Sequence, residues 1–200
     1  VLSLVGSEMC IRDSNTFMRD RRVPRELQGR VREYYNYLWD SRMGQQGELL
    51  DDLPIPLHIE IALHLNRNLL RKVPLFENAS ESFLRELVLH LEPTVSIPGE
   101  DVVRRGEIGH RIYFINRGHV DVLGPDDATV VATLSDGDFF GEMALLSSRP
   151  RANTVRAVDY CNLYALGRDK FDQVLAAFPE FAAEVTRVAD LRRVETEPDP

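Results

Sequence analysis

The feature that most restricts the fold of this chain is a run of seven short β-prone segments between residues 94 and 166. Turn residues separate them, among them Pro98-Gly99, Gly118 and Asp136-Gly137. Many short strands at this spacing predict a β-sandwich, roll or barrel. The predicted strands are Thr94 to Ile97, Asp101 to Arg104, Arg111 to Asn116, His119 to Leu123, Thr129 to Leu134, Asn153 to Ala157 and Cys161 to Leu166.

The segment from Phe17 to about Lys72 has a helical pattern instead. Pro24 suits a first helical turn, and Gly44 and Gly47 predict a break after the first helix. Apolar residues at spacings of three and four lie on one face of each predicted helix: Leu27, Val31, Tyr34, Tyr35 and Leu38 in the first, and Leu57, Ile61, Leu65 and Leu69 in the second. We therefore expect a helical hairpin followed by shorter helices.

The aromatic side chains of the first helix exceed what two short helices can bury between them. They are Tyr34, Tyr35, Tyr37 and Trp39. Part of that face should therefore meet another surface. Packing onto the next domain of the same chain is the alternative.

Further helices are predicted on either side of the strands. Ser80 is a suitable N-cap for a helix to Leu91, and the chain becomes helical again after Gly167, with Pro179 dividing two helices. The fold class is therefore α+β, a helical linker followed by an antiparallel, jelly-roll-like β-roll with flanking helices. The expected divisions are a leader at 1–15 outside the fold, a linker at 16–72, a β-roll domain at 73–195 and a tail at 196–200.

Composition excludes several function classes. A net charge of −8 argues against a nucleic-acid partner, because phosphate binding needs clustered Lys and Arg. Cys10 and Cys161 form no disulfide framework and suit a reducing compartment, and no apolar run approaches the ~20 residues of a membrane span. His110 and His119 lack metal-ligand spacing, and no nucleophile–base pair indicates an enzyme. We expect no metal and no cofactor.

One segment between the predicted strands, residues 137–157, has the chemistry of an anion site. Gly141 to Leu146 can form a short helix with outward-pointing N-terminal amides, and Arg151 could fork onto two oxygens of a phosphate. Glu142 adds an acceptor, which suits a ligand with hydroxyl donors such as a ribose. Together these groups suggest a nucleotide; the alternative is that Glu142 and Arg151 pair with each other or cap local helices.

The same segment carries a family resemblance. FGEMALL followed by RPRANTVRA (140–157) resembles the phosphate-binding cassette of cyclic-nucleotide-binding domains, and RGEIGHRIYFINRGHVDVL (105–123) looks like their β-roll. By position the resemblance implies that Glu142 binds the ribose 2′-hydroxyl and Arg151 the cyclic phosphate. The amides that follow Phe140, those of Gly141, Met143 and Ala144, would complete the anion nest. Arg149 and Arg156 are more simply solvated charges.

The resemblance also has implications for which nucleotide base is preferred and for the kind of protein that the binding domain controls. In this family a Thr at the position of Ala152 favours guanine, so the alanine implies a preference for cAMP over cGMP. Arg192 falls at the position that contacts the purine in related channels. The alternative for Arg192 is a solvated arginine without a role in binding. Three segments, 17–24, 31–39 (VREYYNYLW) and 53–76, look like the C-linker of cyclic-nucleotide-gated and hyperpolarisation-activated channels. This implies a homotetrameric cation channel whose linker joins the binding domain to a transmembrane pore, on the cytoplasmic side of the membrane.

Three other functions of such a domain remain open at this point. A regulator of the catabolite-activator type would need a DNA-reading domain after the last helix. A kinase regulatory subunit would need a second cassette or a basic inhibitor segment, neither of which occurs here. A purely structural β-roll would bind no nucleotide.

Overall fold

The computed structural model describes residues 17–41, 53–77, 79–147 and 149–196. These residues belong to two compact units, one within 1–50 and one within 51–200. The leader predicted at 1–15 and the break predicted at Gly44 and Gly47 lie outside the described residues, as does most of the predicted tail. The predicted domain boundary at 72 falls inside the second unit and remains a prediction.

In the first unit, helix α1 spans Arg25–Ser41 and begins directly after Pro24, whose carbonyl accepts the Gln28 amide at 3.0 Å. Tyr34 and Tyr35 lie edge to face with ring centroids 5.8 Å apart. Leu27, on the predicted apolar face, is exposed, while the other residues of that face are half-buried. The face is thus only partly covered within this unit.

The second unit opens with helices α2 (Ile55–Leu65) and α3 (Arg67–Lys72). The prediction of one helical pattern continuing through Leu69 is wrong, because Asn66 divides it: its side-chain amide donates to the Ala62 carbonyl at 2.9 Å. The turn separates the predicted apolar positions: Leu69 is buried, whereas Leu57, Ile61 and Leu65 are exposed. Ala62 is the buried residue of α2 instead.

A 3-10 turn at Pro74–Phe76 leads to α4 (Glu81–Val88), which begins at the predicted cap. The Ser80 hydroxyl accepts the Phe83 amide at 3.3 Å. Beyond the strands, α6 (Arg168–Ala177) and α7 (Pro179–Thr196) follow, divided at Pro179 as predicted. Phe76 joins these helices to the sheet, because its ring lies 6.0 Å from Phe83 and 5.2 Å from Phe114.

Within the described residues, eight antiparallel strands occur: β1 (Glu92–Ser96), β2 (Asp101–Val103), β3 (Arg111–Arg117), β4 (Val120–Leu123), β5 (Val130–Leu134), β6 (Phe139–Phe140), β7 (Thr154–Ala157) and β8 (Cys161–Gly167). They form two four-stranded sheets in the orders β1-β8-β3-β6 and β2-β7-β4-β5. The predicted α+β class, with an antiparallel β-roll and flanking helices, is confirmed. Strand β6 was not predicted, since two residues are too short for a periodic signal.

The core of the roll lies between the two sheets. Its centre includes Val103, Ile115, Val120, Val155 and Leu163, all buried. The short helix α5 (Glu142–Ser147) joins β6 to the segment that leads into β7, so the predicted cassette sits beside this core. Within the described residues, no helix is long and apolar enough to cross a bilayer.

Candidate functional site

The site begins where β6 ends. The Phe140 ring is buried and stacks on Tyr113 with centroids 5.2 Å apart, which anchors the strand in the core. Gly141 then turns the chain into α5 with a φ of +92°, a conformation that other residues adopt only with strain. A Cβ there would also lie 2.7 Å from Nη1 of Arg151. Gly141 is therefore required both by the turn and by the close approach of the Arg151 side chain.

Arg151 is buried beneath α5 and is held by backbone carbonyls. Its Nη1 donates to the Gly141 carbonyl and its Nη2 to the Arg111 carbonyl, each at 2.6 Å. No carboxylate of the described residues lies within 4 Å of the guanidinium, so the alternative of an Arg151–Glu142 pair does not occur. Burial lowers the pKa of Arg151 from its ordinary value, because desolvation disfavours the charged form. The site thus contains a buried positive charge.

Glu142 is the first residue of α5 and is only 2% exposed. Its Oε1 accepts a hydrogen bond from Nη1 of Arg192 at 3.0 Å, and the two side chains form an ion pair. The Arg192 side chain is 24% exposed. The same guanidinium donates to the Phe139 carbonyl at 2.6 Å and lies 4.6 Å above the Phe139 ring centroid. Arg192 is therefore fixed at the cassette, and the alternative of a solvated arginine is wrong.

A cavity of about 160 Å³ lies at the centre of these groups. All eight predicted site residues line it: Phe140, Gly141, Glu142, Met143, Ala144, Arg151, Ala152 and Arg192. Met143 is half-buried, Ala144 is buried and Ala152 is exposed. Six lining residues were not predicted, namely Val103, Val122, Ala132, Leu134, Asn153 and Val155. The alternation of apolar residues in β4 indicates an inward face, but not that this face lines a cavity.

A larger groove of about 580 Å³ lies in another part of the second unit, between α4 and the junction of α6 and α7. Phe83, Phe178 and Phe181 line it together with two carboxylates, Glu180 and Glu184. These negative charges oppose an anionic ligand. The smaller cavity, with the buried guanidinium of Arg151, is the one suited to a nucleotide phosphate.

The weaker candidates lie away from the cavity. Arg156 pairs with Asp101 at 2.6 Å between β7 and β2 with its side chain 40% exposed, and Arg149 is exposed, so neither residue lines the cavity. His119 Nδ1 lies 2.7 Å from an Asp159 carboxylate oxygen, and this hydrogen bond raises the pKa of His119. No cluster of three metal-ligating side chains occurs in the described part of the chain.

Comparison with known proteins identifies the class to which this roll and cavity belong. Residues 97–178 match the family model described as "Cyclic nucleotide-binding domain". The match spans β2 to β8 and includes α5, Glu142 and Arg151. The chain therefore carries a domain of the cyclic-nucleotide-binding family, and the resemblance noted in the sequence is confirmed.

The more particular similarity is to cyclic nucleotide-gated channel subunits. The chain is 35% identical to "Cyclic nucleotide-gated channel alpha-3" of Homo sapiens over 171 residues, which is 82% of this chain and 25% of that protein. It is 34% identical to the cone photoreceptor subunit alpha of Gallus gallus over 82% of the chain and 23% of that protein. It is also 35% identical to "Cyclic nucleotide-gated channel beta-3" of Homo sapiens, over 86% of this chain and 22% of that protein. The chain spans about a quarter of the length of these relatives.

Proposed function

We propose that the chain binds cAMP, and cGMP more weakly, in the cavity beside α5. The observation that carries this proposal is Arg151, a buried guanidinium held by the Gly141 and Arg111 carbonyls with no described carboxylate within 4 Å. A buried charge is costly unless it is paired. A phosphate in the cavity would supply that counter-charge, and Arg can meet two of its oxygens at once.

The other cassette groups have complementary roles in this proposal. The first amides of any α-helix have no intrahelical acceptor, so those of Met143 and Ala144, with Gly141, can donate to the phosphate. The carboxylate of Glu142 would accept the ribose 2′-hydroxyl. Because Glu142 already accepts a hydrogen bond from Arg192, the ribose would bind to its remaining acceptor positions or displace the guanidinium.

Selection of the base would fall to Ala152 and Arg192. A Thr hydroxyl at position 152 could meet the guanine amino group, and a single hydrogen bond contributes roughly 0.5–1.5 kcal/mol. Ala lacks that hydroxyl, so cAMP would be preferred by about tenfold at most. Arg192 would reach the purine only if its guanidinium leaves Glu142 or contacts both.

Calorimetric titration of the chain with cAMP and cGMP tests the binding proposal. The absence of heat with either nucleotide would refute it. Arg151→Ala should weaken cAMP binding by about 2–5 kcal/mol if the guanidinium contacts a desolvated phosphate. Arg149→Ala is the matched control, because it removes an exposed arginine two residues away. Equal affinities for the two variants would contradict the role of Arg151.

Base selection has its own test. Ala152→Thr should raise cGMP affinity relative to cAMP by up to about tenfold, since it adds one hydrogen-bonding group. Competition of both nucleotides against a fluorescent cyclic nucleotide would measure the ratio. An unchanged ratio in this variant would refute selection at position 152.

We further propose that the chain is the ligand-sensing and gating module of a tetrameric cation channel. The support is the extent of the similarity: residues 97–200 are about half of the chain, so a match over 82% must include helices upstream of the roll. In this proposal the linker continues from a pore domain in the longer protein, and the module lies on the cytoplasmic side of the membrane. Four sites that each favour the open state tenfold would contribute roughly 5.5 kcal/mol to opening.

The exposed apolar side chains of α2 support an assembly through the linker. Ile55 is 69% exposed and Leu57 49% exposed, and Ile61 and Leu65 lie on the same helix. In a homotetramer these side chains would be covered by a neighbouring subunit. Leu57→Glu should therefore shift sedimentation of the chain toward the monomer, whereas Val158→Glu, at an exposed valine of the roll, should not. Equal sedimentation of the variants at high concentration would contradict the assembly.

A further inference from the structure

Arg168, the first residue of α6, contacts the back of the cassette helix. Its Nη2 donates to the carbonyl of Ala144 at 3.0 Å and its Nη1 to the carbonyl of Leu145 at 3.2 Å. Nη2 also lies 3.2 Å from the carbonyl of Gly109. No carboxylate of the described residues lies within 4 Å of this guanidinium, and its described contacts are made to backbone oxygens of α5 and of Gly109.

These contacts complete the C-terminal end of α5. The last four carbonyls of an α-helix have no intrahelical donor, and in Glu142–Ser147 they include those of Ala144 and Leu145. A cation at this end is also favoured by the partial negative charge of the helix terminus. Arg168 therefore supplies donors that a six-residue helix lacks.

The segment at Gly109 and His110 brings Arg168 close to Arg151. On one side, the Arg168 amide donates to the His110 carbonyl at 2.8 Å, beside the contact with Gly109. On the other side, a Cβ at Gly109 would lie 2.8 Å from Cζ of Arg151 and 2.7 Å from Cβ of Ala144. Arg168 thus holds a segment against which the guanidinium of Arg151 packs closely.

The helices after the roll consequently hold α5 at both ends. Arg168 of α6 binds its C-terminal carbonyls, and Arg192 of α7 binds Glu142 at its first residue. Between these two contacts, Phe171 and Val174 fasten α6 into the core. A displacement of α5 would therefore be transmitted to α6 and α7 through these two contacts.

We propose that Arg168 is a positioning residue that fixes α5 for ligand binding and carries the movement of α5 into α6. This inference rests on the proposed cyclic-nucleotide function. Binding of a phosphate at the front of α5 would tighten α5 against Arg168, and α6 would follow because Arg168 is its first residue. Arg168 itself touches no ligand in this mechanism.

Hydrogen exchange of the chain, with and without saturating cAMP, tests the coupling. In the wild type, cAMP should slow exchange several-fold both in 140–147 and in 168–178. Arg168→Gln should keep the slowing in 140–147 but lose most of it in 168–178. Arg168→Lys, which keeps the charge, should recover part of it. Lys170→Gln is the control, because it removes an exposed cation of the same helix.

Two results would overturn the inference. One is a wild-type response of 168–178 in Arg168→Gln. The other is a loss of that response accompanied by equally fast exchange of 168–178 before cAMP is added, which would mean that the substitution only unfolds α6. Failure of the binding proposal is distinguishable, since the wild type would then show no calorimetric heat and no cAMP-dependent exchange in 140–147.

Discussion

Removal of Arg192 should destabilise the roll through the carboxylate that it leaves behind. Glu142 is 2% exposed, and Arg192 is the described ion-pair partner of its carboxylate. Exposed ion pairs contribute about 0–1 kcal/mol, whereas removing one partner of a buried pair costs about 3–5 kcal/mol. Because the arginine side chain is 24% exposed but the stranded carboxylate is buried, we expect Arg192→Ala to cost about 3 kcal/mol of unfolding free energy.

A double-mutant cycle separates the pair from the rest of the arginine. Arg192→Ala would leave the Glu142 carboxylate buried without this partner, and Glu142→Gln removes that charge. The double variant should therefore lose less unfolding free energy than the two single variants lose together. We expect a coupling free energy of about 2 kcal/mol. The remaining loss would come from the contact with the Phe139 ring and carbonyl. Urea unfolding followed by circular dichroism measures each term.

Arg187→Ala is the matched control. Arg187 lies on the same helix and pairs with Glu184 at 2.6 Å, but its side chain is 60% exposed. Its loss should destabilise the fold far less than the loss of Arg192, because solvent screens an exposed ion pair. If Arg192→Ala cost no more than this control, or if the cycle gave no coupling, the pair would not compensate a buried charge and the reasoning would fail.

Two further predictions concern the roll outside the cavity. Gly137→Ala should destabilise the roll by about 1–3 kcal/mol in urea unfolding. Gly137 has a φ of +92°, and a Cβ added there would lie 2.5 Å from the Lys72 carbonyl oxygen. Wild-type stability of this variant would refute the packing of α3 on this turn. The His119–Asp159 pair should make stability pH-dependent: its hydrogen bond raises the pKa of His119 above 6.5, so the contribution is present below pH 6.5 and is lost as the pH rises through the folded-state pKa. Urea midpoints measured from pH 5.5 to 9 should show this loss in the wild type and not in His119→Gln, and parallel profiles would contradict it.

Local sequence was sufficient for much of the fold and for the cassette. Turn residues mark strand ends through their own backbone preferences, and the Ser80 cap acts on an amide three residues away. Seven of the eight predicted site residues lie within thirteen consecutive positions, from Phe140 to Ala152. Such a segment keeps its groups together in any fold that preserves its turn and helix, which is why residue chemistry alone suggested a nucleotide site.

The contacts that complete the site depend on tertiary structure. Val122, Ala132 and Leu134 line the cavity because β4 pairs with β5, and their sequence carries no mark that distinguishes a cavity wall from a core. The contacts of Arg168 with α5 likewise join residues more than twenty positions apart. Periodicity shows which face of an element is apolar, but not what covers that face.

Sequence by itself thus determined the α+β class and the roll, because these follow from backbone preferences and short-range spacing, whereas the cassette was recognised by its resemblance to a known family. Tertiary structure alone decided that Arg151 is buried on carbonyls, that Glu142 pairs with Arg192, and that Leu57 of the linker remains exposed. The physical reason is that burial and pairing depend on which distant segments meet. A guanidinium has the same chemistry in every sequence, but its surroundings decide whether it is solvated, paired or held ready for an anion.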